Sequence, residues 1–488
     1  MQKKSISESA ATKTICDLAR KIHTPSLAID SIYADVIKYF SQLSTIEEQR
    51  KNFKEQLAVA EKKLVRNSKK DQAETLKKKR QHCLKKIKAF ETELEKQRVG
   101  RIQKLKNVCN EILTLCTGIN INDTNKKFAK LLGTLSLRTP DGNDTALQYN
   151  QQCKSFYQAV LSLKLLGQLI EDKLMGNKYV MDKYYQRSDE VNDPYRNEVQ
   201  IPLLIAALLQ NVGHYHPDAQ RILKGDSDEK DEFRLLDKDD RLALLKCNYQ
   251  QSTHYIKEAL GLDKYIGNSK AERKIFNQKE KEKILFSLKL LKSALTPKQG
   301  IGNLLKVPEI YSSVVMSTKR NYSYAAIPRV FKMLNKAVDR GVLSKPVVNN
   351  LLKITGIFPQ GFGITYIPKN VDGYDLDTYE YAIVNSFYPK SADSPTCRMA
   401  TRHLVFNSSG NDYSIEPDNN LFFPQVRKKL EKVSSERLKE ILSKLWSNYA
   451  TRQEQLELVP CCWFPHEFFS LAKRQNIWNK AVTDTEEN

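Results

Sequence analysis

Over most of its length the chain alternates apolar and polar residues with the period of an α-helix. Ile15, Leu18, Ala19 and Ile22 recur at three- and four-residue spacing, Pro25 interrupts, and Ile29, Ile32, Val36, Ile37 and Phe40 resume the pattern. This predicts short helices over residues 1–45. A long helical region follows over 46–117. Leu76, Cys83, Ile87, Phe90 and Leu94 lie close to a heptad seam, and Ile102, Leu105, Cys109, Ile112 and Cys116 form a comparable one. A turn at 67–70 would fold this region into an antiparallel helical hairpin. The motifs ININDTN and RTPDGND, within 118–144, are turn chemistry and predict a domain boundary. Residues 145–355 read as helix upon helix, with 225–232 (GDSDEKDE) an exposed acidic loop. The texture changes at 356–424, where GITYIP, YEYAIVNSFYP, RHLVFN and NLFFP read as strands of a small sheet. Over 425–488 an amphipathic helix returns, carrying Leu430, Val433, Leu438, Ile441, Leu442, Leu445 and Tyr449 and ending in a polar tail expected to be disordered. The expected fold class is mostly α, with an N-terminal helical hairpin or coiled coil and a small β-rich C-terminal subdomain.

Charge narrows the choice of partners. The 488 residues carry a formal net charge of +22. Between Ile46 and Asn107 there are twenty Lys/Arg against nine Asp/Glu, so half of the excess lies on the predicted hairpin. Such a surface is a solvated coiled-coil face, or one that docks an anion or a partner. Phe53 and Phe90 are its aromatic residues, which disfavours single-strand binding by base stacking. The chain has no run of 18 apolar residues and no apolar stretch of signal-peptide length at its start. Its nine cysteines lack disulfide or zinc-finger spacing. A reducing cytoplasm is the expected compartment.

The most informative stretch is 201–225, IPLLIAALLQNVGHYHPDAQRILKG. Leu203, Leu204, Ala206, Ala207, Leu208 and Leu209 leave almost no polar face, which predicts a buried helix. Where the apolar run stops, Gln210, Asn211, Gly213, His214 and His216 crowd polar and imidazole groups together. Pro217 bars a simple continuation of the helix. A core helix that delivers polar side chains to a concave site has this pattern.

LLQNVGHYHP resembles the ALLHDIGK signature helix of HD-superfamily phosphohydrolases, with Gln210 and Asn211 where His and Asp stand in that family. Further along, IPRVFKMLNKAVDRGVLSKPVVNNLLKITGIFPQGFGITYIP is similar to the segment after the catalytic helices of HD-GYP proteins, which hydrolyse cyclic di-GMP. Gly341, Val347, Val348, Gly356, Phe358, Pro359, Gly361 and Gly363 hold the family's places there. YEYAIVNSFYPKSADSPTCR resembles a strand–loop of the same family, with Pro395 and Arg398 at its end. KVPEIYSSVVMSTKRNYSYA resembles a segment whose register is set by Arg320 and Tyr322, with Ser317 and Thr318 just before them. Together these cover roughly residues 201–398.

The resemblance implies an HD-like helical domain over 145–355. In that family His and Asp hold iron or manganese ions that activate water against a phosphodiester. Here the signature pair is Gln210–Asn211, a family aspartate falls on Tyr311, and Gly302–Asn303–Leu304 is the nearest approach to a GYP tripeptide. The expected function is therefore that of a catalytically degenerate, cytoplasmic regulatory or binding protein of HD-GYP type, as from a bacterium, with no cofactor. Its partners would be a cyclic dinucleotide, or a protein or second copy docked on the coil seam. Ligand-binding candidates are Arg320, Tyr322 and Lys319, since an arginine grips a phosphate bidentately and a tyrosine stacks on a base. One alternative is a phosphohydrolase with a divergent iron or manganese site on His214, His216 and His254. Against it, residues two apart on a continuous helix point to different faces. A second alternative is a nucleic-acid or scaffold protein that works through the basic coil. Cys461, Cys462 and His466 lack a second ligand pair for zinc.

Overall fold

A computed structural model describes residues 7–24, 28–66, 70–188, 190, 192–297, 300–430, 436, 439–440, 443 and 459–479. It is mostly helical, with a small antiparallel sheet toward the C-terminal end. The chain forms two compact units: residues 1–20, 110–195 and 292–488 make unit 1, and residues 21–109 and 196–291 make unit 2. These units do not follow the sequence-derived boundaries. The expected 145–355 domain is divided between them, and no break occurs at 45, because one helix runs through it.

Unit 2 contains that helix, α2 (Ile32–Arg66), and most of α3 (Lys70–Cys116), which follows α1 (Ala10–Ile22) and α2 in the chain. Phe53 meets Phe90 edge-on with centroids 5.5 Å apart, Arg50 bridges Glu91 at 2.9 Å and Arg80 bridges Glu61 at 3.0 Å. These pairs fix α2 and α3 as an antiparallel hairpin, although the turn residues 67–69 fall outside the described residues. The seam expected to recruit a second copy is covered from within. Leu76, Cys83, Ile87, Phe90 and Leu94 are half-buried, and Phe53, Leu57, Ala60 and Leu64 recur on α2 at matching spacing. The second seam, from Ile102 to Cys116, is fully buried. Its apolar positions are displaced by one residue from the continuation of the first, so the buried stripe shifts around the helix axis past Leu94.

The rest of unit 2 comprises α7 (Ile201–Leu209), α8 (Pro217–Lys224), α9 (Lys238–His254) and most of α10 (Lys270–Leu295). Two π-helical turns, Arg196–Gln200 and Tyr255–Leu260, run into α7 and out of α9. As its composition requires, α7 is buried almost throughout.

In unit 1, α4 (Ile121–Leu137) lies between the two turn motifs where the sequence predicted only a boundary. Asn120 accepts the Asp123 backbone N–H at 2.9 Å and so caps α4, and Phe128, Leu131, Leu132 and Leu135 bury its inner face. It packs on α5 (Asn143–Glu171), which also meets α11 (Asn303–Val315) and α13 (Lys345–Thr355). Helices α6 (Lys178–Tyr185) and α12 (Val330–Asp339) complete this part.

The sheet has the order β1-β2-β3-β6, from β1 (Gly363–Tyr366), β2 (Glu380–Val384), β3 (Thr396–Met399) and β6 (Asp412–Ser414), all antiparallel. NLFFP, expected as a strand, turns instead into α14 (Pro424–Leu430), keeping one bridge from Asn420 to Tyr366. Val433, Leu438, Ile441, Leu442, Leu445, Tyr449 and the C-terminal tail lie outside the described residues, as does Pro25. A last short helix, α15 (His466–Phe469), follows. The glycines of 356–363 serve the entry to the sheet. Gly356 and Gly361 have φ of 63° and 89°, and a Cβ at Gly363 would lie 2.2 Å from the Trp463 carbonyl oxygen.

RHLVFN forms a two-stranded hairpin, β4 (Thr401–Arg402) with β5 (Val405–Phe406). Its turn residues His403 and Leu404 have φ of 49° and 62°, as a type I′ turn demands. Leu404 is buried, and its N–H donates to the Glu380 carboxylate. His403 is exposed. His403→Asn should therefore raise stability by about 0.5 kcal/mol, since Asn tolerates the left-handed region better. A chemical denaturation midpoint that stays put or falls would contradict this.

Candidate functional site

The 201–225 stretch leads to the site. At the end of α7 the Gln210 side chain turns back to the Ala207 carbonyl at 3.3 Å. The Gln210 carbonyl accepts from Asn248 Nδ2 at 2.9 Å and Ser252 Oγ at 3.2 Å, and Asn211 Oδ1 also accepts from Asn248 at 3.3 Å. The Gly213 N–H donates to Ser252 Oγ at 2.9 Å. The Gln210 backbone carbonyl and the Asn211 side chain thus fasten the end of α7 to α9.

The three candidate histidines have separate contacts. His214 lies in a 3-10 turn, Val212–Tyr215, and its carbonyl accepts from Gln220 Nε2 at 2.7 Å. His216 Nδ1 accepts the Asp218 N–H at 3.2 Å and caps α8, where Pro217 takes the first position. His254 Nε2 pairs with the Tyr39 hydroxyl at 3.1 Å. Phe40 packs edge-on against His216, and both Tyr39 and Phe40 meet Tyr255. Burial pulls the His216 pKa down; Asp218 opposes this and His254 adds to it. Among the described residues no three His, Cys, Asp or Glu side chains are placed to hold a metal ion. His214, His216 and His254 are therefore not brought together as a ligand set, nor are Cys461, Cys462 and His466.

Tyr39 opens onto a cleft of about 360 Å³ between α2 and α3. It forms where the first seam ends. Gln97 and Arg101 occupy the next seam positions after Leu94, and Gly100 beside them offers open space where a side chain would stand. The Arg101 guanidinium lies 5.3 Å from the centre of the Tyr39 ring, and its Nε donates to the Ala259 carbonyl at 3.0 Å. Arg98 donates to the carbonyls of Leu260, which ends the π-helical turn, and of Leu262 just beyond it, and forks onto Glu95. Arg50 forks onto Glu91 with both bonds at 2.9 Å. Lys38, Gln42 and Glu258 line the rest. Burial raises the Tyr39 pKa, and Arg101 opposes the rise, so the phenol stays protonated at neutral pH. The arrangement offers a stacking ring, a guanidinium, amide groups and exposed charge to a small polar ligand.

The other candidates belong to unit 1. Arg320 pairs with Asp144 at the start of α5, and Tyr322 N–H donates to the Lys319 carbonyl in the turn after α11. Burial raises the Tyr322 pKa, with Cys462 adding to it. Tyr311 is fully buried. The sequence reading missed the cleft, whose one signal was polar Gln97 and Arg101 where the heptad calls for apolar residues.

Compared with family models, curated proteins and solved structures, the chain matches none.

Proposed function

We propose that the chain is a catalytically degenerate HD-GYP-like protein that acts in the cytoplasm by binding, as a regulatory module. The observation that supports this most is the use of Gln210 and Asn211. Where the resemblance would place His and Asp, two neutral amides stand: Gln210 Nε2 turns back onto the Ala207 carbonyl of its own helix and Asn211 Oδ1 accepts from Asn248 on α9, so neither offers an imidazole or a charged carboxylate to a metal. Its ligand would be a small anion with a stackable base, a cyclic dinucleotide first among the candidates. The cleft beside Tyr39 is the better seat, since its volume falls within the range of small-molecule pockets and a guanidinium lies against the ring. The Arg320 turn is the weaker one, because that guanidinium pairs with a carboxylate, Asp144, whereas Arg101 is bonded to the neutral Ala259 carbonyl.

The purified protein is expected to lack stoichiometric iron, manganese or zinc by elemental analysis; two transition metals per chain would overturn the non-catalytic reading. Calorimetry with cyclic di-GMP at low salt should give a heat that Arg101→Ala abolishes and Arg320→Ala leaves within about twofold. Weak, salt-sensitive binding is expected where screened charge does much of the work. No heat at tens of micromolar protein would remove the nucleotide from the proposal, and the reverse order of the two variants would move the seat to Arg320.

A further inference from the structure

The α2–α3 hairpin has two long flanks, and the pairing of Phe53 with Phe90, Arg50 with Glu91 and Glu61 with Arg80 determines what each displays. One flank neutralises itself. Glu47, Lys54, Glu61, Lys77, Glu91 and Arg98 alternate along it, and Arg50 and Arg80 bridge across to it from the seam. The other does not. In the same register Lys63 stands across from Lys79, and Gln56 across from Lys86, all four exposed. Exposed Lys62 and Lys85 adjoin them on the outer faces. Lys79 and Lys86 are seven residues apart on one helix, about 10.5 Å along its axis. Over this stretch Lys63, Lys79 and Lys86 face no carboxylate across the flank; exposed Glu55 adjoins Gln56 on the outer face, and Glu93 takes the next flank position after Lys86.

We infer that this flank docks the phosphate backbone of a nucleic-acid duplex without regard to sequence. A duplex is itself a stiff rod, with about one negative charge per 1.7 Å of axis, and it suits a linear array of cations better than a flat surface does. Single strands are the poorer fit, because the hairpin's aromatic rings, Phe53 and Phe90, are turned onto each other in the seam and offer no platform for bases. A lipid surface is poorer too, because the flank is narrow and presents no aromatic or long apolar side chain to enter the interface. The inference is independent of the dinucleotide proposal, which concerns the cleft.

Fluorescence anisotropy of the full chain with a labelled 30-base-pair duplex tests it. Three phosphate contacts predict binding roughly 40-fold weaker at 200 mM than at 50 mM salt. The variant K63E/K79E/K86E should bind at least about tenfold more weakly at 50 mM and flatten the log–log salt slope by about 2.7. K51E/K54E/K77E makes the same change in net charge away from that flank and should stay within about threefold of the parent. Circular dichroism on both variants checks that the hairpin is still folded. Three outcomes would overturn the inference: no duplex binding at 50 mM salt, equal losses in the two variants, or tighter binding of the parent to phosphatidylserine vesicles than to the duplex.

Discussion

Gly213→Ala should destabilise the protein by about 3 kcal/mol or more, although helix propensity alone predicts a gain of up to about 1 kcal/mol from the same change. The reason is steric. A Cβ at Gly213 would lie 2.3 Å from the Asn248 carbonyl oxygen and 2.7 Å from its Cα, both backbone atoms of α9. No rotamer change relieves such a contact. α9 must move, and the bonds from Asn248 and Ser252 to the Gln210 carbonyl and from Gly213 to Ser252 would be strained with it. Ser252→Ala removes a hydroxyl from the same junction without a clash and should cost only about 1 kcal/mol. Thermal melts of the two variants, with hydrogen exchange over 201–225 and 238–254, separate the cases. A Gly213→Ala melt within a degree of the parent would refute the close approach of the 3-10 turn to α9.

The second large effect is a gain. Lys164 is buried on α5, with its ammonium 2.7 Å from Asn125 Oδ1 and 5.0 to 5.9 Å from the ring centres of Phe128, Phe387 and Tyr388. Burial pulls its pKa down to about 8, and Glu171 opposes the shift only in part. In the unfolded chain a lysine titrates near 10.4. Between those values the unfolded chain holds more protons than the folded one, so stability rises with pH through that window. Below about pH 8 the cost of burying the charge is present in full. Lys164→Met keeps the unbranched stem and adds sulfur–aromatic contacts. It should raise stability by about 1–3 kcal/mol at pH 7, and the gain should fade as pH approaches 10.4. Denaturant titrations at pH 7 and pH 10 check this. A loss at pH 7, or a gain independent of pH, would mean that the rings and Asn125 compensate the charge.

Both effects depend on neighbours distant in sequence, and this also marks how far the sequence could be read. Its helices were largely legible because apolar spacing is a local signal. The buried run before Gln210 and the hairpin seams needed only periodicity. α4 was missed because Asn120 and the nearby Asp residues read as turn chemistry, whereas Asn120 is a helix cap. β3 and β6 were missed because TCRM and DYS are too short to show alternation. NLFFP has strand composition, yet it bends into α14, led by Pro424. The cleft was harder still. Gln97, Gly100 and Arg101 gain meaning only once α2 lies antiparallel to α3 and Tyr39 comes opposite them. The histidines looked like ligands because of their type, but His216 caps a helix N-terminus, His254 pairs with a phenol, and the backbone carbonyl of His214 takes the Gln220 side-chain amide.

The division of the chain into interleaved segments also bears on the order in which it can fold during synthesis. Unit 2 is complete once residue 291 has been made, whereas unit 1 needs residues 292–488. Those last 197 residues take about 10–40 s to add at 5–20 residues per second. Until residue 355 has been added α4 and α5 lack α11, α13 or both, and the sheet is not complete until residue 414. A nascent chain stalled near residue 300 would therefore carry one finished unit beside a sticky, half-built one. That is the stage at which a ribosome-associated chaperone has most to hold.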